Sequence, residues 1–296
     1  MQGADAGHWA ALGRRYHEML FEQDVFRRAE RERALQGEVR AAAAASPEVA
    51  ERWLAAALGG DDPRARWFAV FAAGLLAGAL PRLEGPMLRA ACAALADRRA
   101  KLDVAGALDA LDAMPPALFW PMLKAAVDEP NPSAGRLFVE PCVWSFGRRR
   151  VVEALLTIVE EGDNRDKAGA LRALAWAWGV DGRPRGAERL SRAAAAALAA
   201  APAPARGGPE GDDDALHHLR GLLERWQCLL LKTFVENEDL EVRRNALPSL
   251  SVHEASYPAE FRPLLAEAIR IAREHPDEAI RRRIEEQLGP ERRRPG

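Results

Sequence analysis

Residues 146 to 178, FGRRRVVEALLTIVEEGDNRDKAGALRALAWAW, leave this chain few choices of fold. Val152, Leu155, Leu156 and Val159 recur at the i, i+3, i+4, i+7 spacing of one apolar helix face, and Val151 with Ile158 widens it. A stripe of that width meets neighbours on more than one side. Gly162, Asp163 and Asn164 interrupt the period: Gly162 is expected to end the helix at positive φ, and Asp163 or Asn164 to cap the next helix through a side-chain oxygen. In the second helix Leu171, Leu174, Ala175 and Trp178 form one face, while Gly169, Ala173 and Trp176 form another whose small residues admit a close neighbour. A helix apolar on two faces is packed between others, as the inner member of a stacked pair must be.

The second half of this unit recurs. NEDLEVRRNALPSL, 237 to 250, has an acidic or amide cap, a branched apolar residue followed by Arg, and an Ala-Leu pair; HPDEAIRRRIEEQLG, 275 to 289, and DDPRARWFAVFAAGLL, 61 to 76, are weaker echoes. This pattern resembles HEAT repeats, whose period is about 40 residues. Val242 to Ile280 is a step of 38 residues, Lys167 to Val242 one of 75, close to two units, and Ala65 to Lys167 one of 102. The stretch from 146 to 289 is similar to HEAT-like proteins of high-GC bacteria of uncharacterised function. That resemblance implies an all-α fold, a right-handed α-α superhelix (HEAT-like α-solenoid) of about 12–14 helices, and implies no activity.

Within this frame the whole chain, 1–296, reads as a single elongated domain, because solenoids grow by addition and need no second core. The N-terminal capping region, 8–45, starts with the apolar-aromatic patch Trp9, Leu12, Tyr16, Met19 and Leu20, and its charged stretch from Arg27 to Arg33 reads as a solvated helix face. Degenerate repeats follow over 46–128, with helix starts at Ser46-Pro47 and Asp61-Asp62-Pro63. The segment 129–145 carries Pro130, Pro132 and Pro141 and no helical period, and reads as a packed, proline-rich loop, the first candidate for a binding element. An Ala-rich helix is expected over 185–201 and a flexible acidic loop over 201–214. Helices at 215–236 and 238–252 then pair, with Pro248 kinking or ending the second. A last pair runs to Leu288, with His275 as cap, Pro276 first in the helix and Gly289 beyond its end, before a tail at 290–296.

Composition narrows the function. The net charge of −2 gives no general attraction to nucleic acid or anionic membranes. Cys92, Cys142 and Cys228 stand far apart with no CxxC pair, so neither a zinc site nor a disulfide framework is implied and a reducing cytoplasm is the expected compartment. The start MQGADAGHWA has no signal-peptide pattern, and the apolar run from Trp67 to Leu80 is too short for a bilayer, so no membrane is expected. No GxSxG, P-loop or GxGxxG string occurs, adjacent His217 and His218 diverge on a helix, and the chain is expected to be non-catalytic with no cofactor or metal.

The residues that stand out are basic and aromatic. Arg148, Arg149 and Arg150 occupy a first helical turn, where the macrodipole disfavours cations, so a carboxylate such as Glu153 should face them or an acidic partner should. Trp144 and Phe146 precede them, and Arg172, Trp176, Arg243, Arg244 and Arg281 would extend a stripe if the inner helices stack in register. The leading expectation is a scaffold that binds a protein or peptide on its inner helices. Nucleic-acid binding is the alternative, since certain bacterial alkylpurine DNA glycosylases have HEAT-like builds, and a pigment lyase shares only the fold. One cluster formed by Arg148, Arg172, Arg243 and Arg281 would mark an acidic ligand; dispersal among internal ion pairs would mark a protein scaffold without charge readout.

Overall fold

The computed structural model describes residues 5–179, apart from 21, 23, 77, 110, 112 and 113, and residues 211–289. The expected helix at 185–201 and residues 201–210 of the expected acidic loop lie outside the described residues. Among those described there is no strand, and the chain forms fourteen α-helices: α1 Ala6–Leu20, α2 Val25–Ala45, α3 Pro47–Gly59, α4 Pro63–Leu75, α5 Glu84–Ala96, α6 Lys101–Asp109, α7 Phe119–Val127, α8 Pro132–Phe146, α9 Arg148–Glu161, α10 Asn164–Gly179, α11 Gly211–Glu236, α12 Leu240–Ala246, α13 Arg262–Glu274 and α14 Glu278–Leu288. They divide into two compact units whose boundaries fall within α7 and α8. The described part of the first comprises residues 5–125 and 140–146, and that of the second 126–139, 147–179 and 211–289.

In the first unit α1/α2, α3/α4 and α5/α6 pack as consecutive pairs, and alternate helices also touch: α1 with α3 and α3 with α5, α2 with α4 and α4 with α6. Its core is aromatic. Trp9, Tyr16, Phe68 and Phe71 are fully buried, with Tyr16 stacked on Phe71 at 5.0 Å between centroids and Trp9 on Trp53 at 6.0 Å. Side chains of this size contribute roughly 1.5–3 kcal/mol each when withdrawn from water. The expected N-terminal patch is therefore core. The expected continuous helix over 8–44 is interrupted between α1 and α2, which Arg15 and Glu38 tie together. Arg31 pairs with Glu22 at 3.1 Å as a solvated residue would, but Glu32 is buried and accepts a hydrogen bond from Gln36 at 3.4 Å.

The second unit repeats the scheme. α9/α10, α11/α12 and α13/α14 are the pairs; α9, α11 and α13 form one ladder and α10, α12 and α14 the other. Trp178 stacks on Trp226 at 5.3 Å where α10 meets α11. The caps of the second-ladder helices are all aspartates: Asp163 Oδ1 accepts from Asp166 N at 2.8 Å, Asp239 Oδ1 from Val242 N at 3.0 Å and Asp277 Oδ1 from Ile280 N at 3.1 Å. Asp239 and Asp277 are 38 residues apart and Asp163 and Asp239 are 76 apart. Across that longer step α10 still packs directly on α12, so the two capping aspartates belong to neighbouring helices of one ladder.

Five further sequence expectations are corrected. Residues 129–145 are not a loop: Pro132 occupies the first turn of α8, where its missing N–H costs nothing, and Asn131 Oδ1 caps the helix by accepting from Ser133 N at 3.1 Å. Pro141 does remove a donor inside α8, yet Phe138, Val139, Cys142 and Val143 are buried around it, and packing overrides local propensity. Gly162 has φ −72°, not a positive value; glycine is required because an added Cβ would lie 2.6 Å from Ile158 O and 2.8 Å from Asp166 Cβ. The cap of α14 is Asp277, while His275 ends α13 and its Nδ1 accepts from Asp277 N at 3.0 Å. Residues 211–214 belong to α11 rather than to a loop. Ser46 precedes α3 without any side-chain capping bond, although Pro47 fills the first position as expected. Pro248 does end a helix early: α12 stops at Ala246 and a single 3₁₀ turn, Leu247–Ser249, follows.

Candidate functional site

The surface on which sequence and structure converge lies along α10, α12 and α14 of the second unit. Each of these helices starts at a capping aspartate; in α12 and α14 a buried apolar anchor stands three residues later and an arginine four, Arg243 and Arg281, whereas on α10 Arg172 stands nine residues after Asp163. Val242 and Ile280, three residues beyond their caps, are buried anchors that fix the rotation of α12 and α14 and so decide which side chains reach the surface.

That surface carries both signs of charge. Arg244 donates to Glu241 Oε1 at 3.0 Å and to Asp277 Oδ2 at 2.6 Å, linking α12 to the start of α14. The pairing holds the Asp277 carboxyl below its ordinary range and raises the Arg244 guanidinium above its own. Arg172, on α10, is half-buried; burial lowers its pKa, and the charges of Glu241 and Glu129 oppose that shift. Its Nε is buried without a hydrogen-bond partner. Arg172, Glu241, Arg244 and Asp277 thus alternate in sign across α10, α12 and the start of α14, with the buried Glu129 behind Arg172.

The other arginines brought here serve the backbone. Arg243 Nε donates to Phe234 O at 3.2 Å with its guanidinium 5.8 Å from the centre of the Phe234 ring. Arg281 Nη1 donates to His275 O at 2.5 Å and Pro276 O at 2.8 Å, occupying carbonyls left open at the end of α13. Arg243, Arg244 and Arg281 converge on His275, whose pKa is lowered first by burial and then by these three cations, with Asp277 opposing them.

The remaining predicted residues do not join this surface. Arg149 Nε donates to Glu153 Oε1 at 2.9 Å, the i, i+4 partner that the sequence offered, and Arg148 and Arg150 are engaged as well. All three stand on α9, in the opposite ladder. Trp176 is a clamp: its Nε1 donates to Pro132 O at 2.6 Å, and its indole lies beside Gly135. Trp144 and Phe146 belong to the first unit. Trp144 Nε1 is buried without a hydrogen-bond partner, and Phe146 meets Phe119 edge-on at 5.1 Å.

Sequence reading missed Gly147, the single residue between α8 and α9, at φ +84°, and Asp277 as an arginine partner. The first left a usable signal, a glycine before an arginine-rich helix start; the second left none, because its partner is 33 residues away.

No group of three or more His, Cys, Asp or Glu among the described residues is arranged to hold a metal ion. Cys142 is buried, which pushes its thiol up to about 12, and burial also raises the half-buried Cys92 and Cys228. No helix among the described residues is long and apolar enough to cross a membrane. The sequence matches no protein-family model and no curated protein.

Proposed function

We propose that this chain is a non-catalytic scaffold of HEAT-like build, a right-handed α-α superhelix, that binds a protein or peptide on the face formed by α10, α12 and α14. Two ladders of alternating helices within each unit support the superhelical reading, since stacked helix pairs produce such contacts. The observation that carries the functional reading is the internal neutralisation of the arginines. Arg244 is held by two carboxylates, Arg149 by one, and Arg243 and Arg281 by backbone carbonyls. A nucleic-acid groove needs cations free to displace counterions from phosphates, and cations already engaged with carboxylates and carbonyls are poorly suited to that. A surface of alternating sign with aliphatic arginine stems instead suits a polypeptide of mixed charge. The protein works without a cofactor in this reading, in the cytoplasm.

The test is affinity capture from the native lysate with the full chain, with and without nuclease, comparing wild type with Glu241→Lys. A polypeptide retained after nuclease treatment and lost from the variant supports the proposal. Recovery of nucleic acid alone, released by moderate salt, overturns it and directs attention to glycosylase activity.

A further inference from the structure

A second surface feature lies in the first unit, where α3 turns into α4. Trp53, Ala56, Ala57, Ala65, Asp61 and Asp62 line an open pocket of about 270 Å³, with Gly60 at its edge. The hollow exists because three alanines stand where larger side chains would fill it. Gly60, in extended conformation with its N–H on Ala57 O at 3.3 Å, turns the chain so that both aspartates reach the rim. The indole of Trp53 is braced from the interior by Trp9, stacked at 6.0 Å, and by Phe68, edge-on at 5.8 Å, and is only half-buried.

The charge of this pocket is unbalanced. Asp62 Oδ1 caps α4 by accepting from Arg64 N at 2.9 Å, but Asp61 is exposed and has no hydrogen-bond or ion-pair partner among the described residues. No cation lines the pocket. Arg66 donates to Gly60 O at the edge of the pocket, with its guanidinium 5.7 Å from the centre of the Trp67 ring, and makes no contact with Asp61 or Asp62 that would neutralise them. A braced indole beside two carboxylates, over a floor of methyl groups, is chemistry suited to the stem and head of one basic side chain. The volume is below the roughly 300–1,000 Å³ of pockets that hold drug-sized molecules, and fits one side chain rather than a helix or a nucleotide.

We propose that this pocket receives a single arginine or lysine side chain presented by a protein partner. The proposal rests on the protein-scaffold reading only for the source of that side chain, and its test does not depend on capturing the partner.

The probe is N-acetyl-arginine N-methylamide, titrated into the full chain labelled with ¹⁵N, with the Trp53 indole resonance assigned by its loss in Trp53→Phe. Saturable movement of that resonance is expected, with no movement on adding the isosteric neutral citrulline analogue. Asp61→Asn, at an exposed position with no partner to lose, should weaken binding about two- to fivefold, as an exposed ion pair does. Ala56→Leu, also exposed, should abolish it by filling the hollow while the other indole resonances stay in place. An equal response to the citrulline analogue, unaltered affinity in Asp61→Asn, or no movement of Trp53 each overturns the proposal. Loss of nuclease-resistant capture in the lysate experiment would instead overturn the scaffold reading and leave the pocket result standing.

Discussion

Gly169→Ala is the sharpest test of the packing described above. The added Cβ would lie 2.1 Å from the carbonyl oxygen of Val127 and 2.8 Å from its carbonyl carbon. Both are backbone atoms at the end of α7, so no side chain can swing aside. To reach an ordinary contact of 3.4 Å, α10 and the end of α7 must separate by about 1.3 Å. Overpacking of this kind costs about 1–3 kcal/mol, with a backbone clash at the upper end. Alanine returns about 1 kcal/mol through helix propensity, which leaves a net loss of roughly 2 kcal/mol. Gly221→Ala is the matched control: it lies in α11, is exposed, and its Cβ would meet nothing within 4 Å. The same chemical change should there stabilise the chain by about 0.5–1 kcal/mol. In urea, at a slope of about 3 kcal/mol per molar, the two midpoints should move apart by roughly 1 M, down for Gly169→Ala and up for Gly221→Ala. A Gly169→Ala protein as stable as wild type, with unchanged slope, would refute the close approach of α10 to α7.

Asp239→Ala removes a cap and should cost about 1 kcal/mol, whereas Asp277→Ala also releases Arg244 and should cost more; urea midpoints of the two variants rank the effects. His275 has a folded pKa below its unfolded value, so the unfolded chain takes up a proton first. Stability should therefore fall as pH drops below about 6.5, and His275→Gln should flatten that dependence between pH 7.5 and 5.5 in denaturation midpoints. Cys142, fully buried with its thiol pushed up to about 12, should resist iodoacetamide at pH 8 until denaturant is added, with Cys92 and Cys228 modified earlier by mass spectrometry of the intact protein.

The sequence made α9 and α10 legible because their apolar residues repeat with the helical period and their junction carries Asp163 as a cap, all signals that act within about four residues. It made Glu153 legible as a partner of Arg149 for the same reason, since one turn of helix fixes their separation. It misjudged 129–145 because proline counts as a breaker only when its context is unknown. Pro132 sits at a helix start, and Pro141 is carried by buried neighbours that no local rule can register. Likewise Gly162 suggested a backbone of positive φ, when what excludes a side chain there is the Asp166 Cβ and the Ile158 carbonyl.

For the candidate surface the division is sharper. By itself the sequence determined that α10 would be capped at Asp163 or Asn164 and α12 by an acidic or amide residue, and that a branched apolar residue followed by arginine would stand at Val242 and Ile280, because each of these signals acts within a single turn or two; it placed the cap of α14 on His275, where the structure has Asp277. Only the tertiary structure decided where those arginines spend their charge. Arg244 meets Asp277 across 33 residues of chain, at 2.6 Å. Such pairs follow from the register of stacked helices, which is set by the summed fit of many buried side chains and by close approaches such as that of Gly169 to Val127, not by any property of the charged residues themselves.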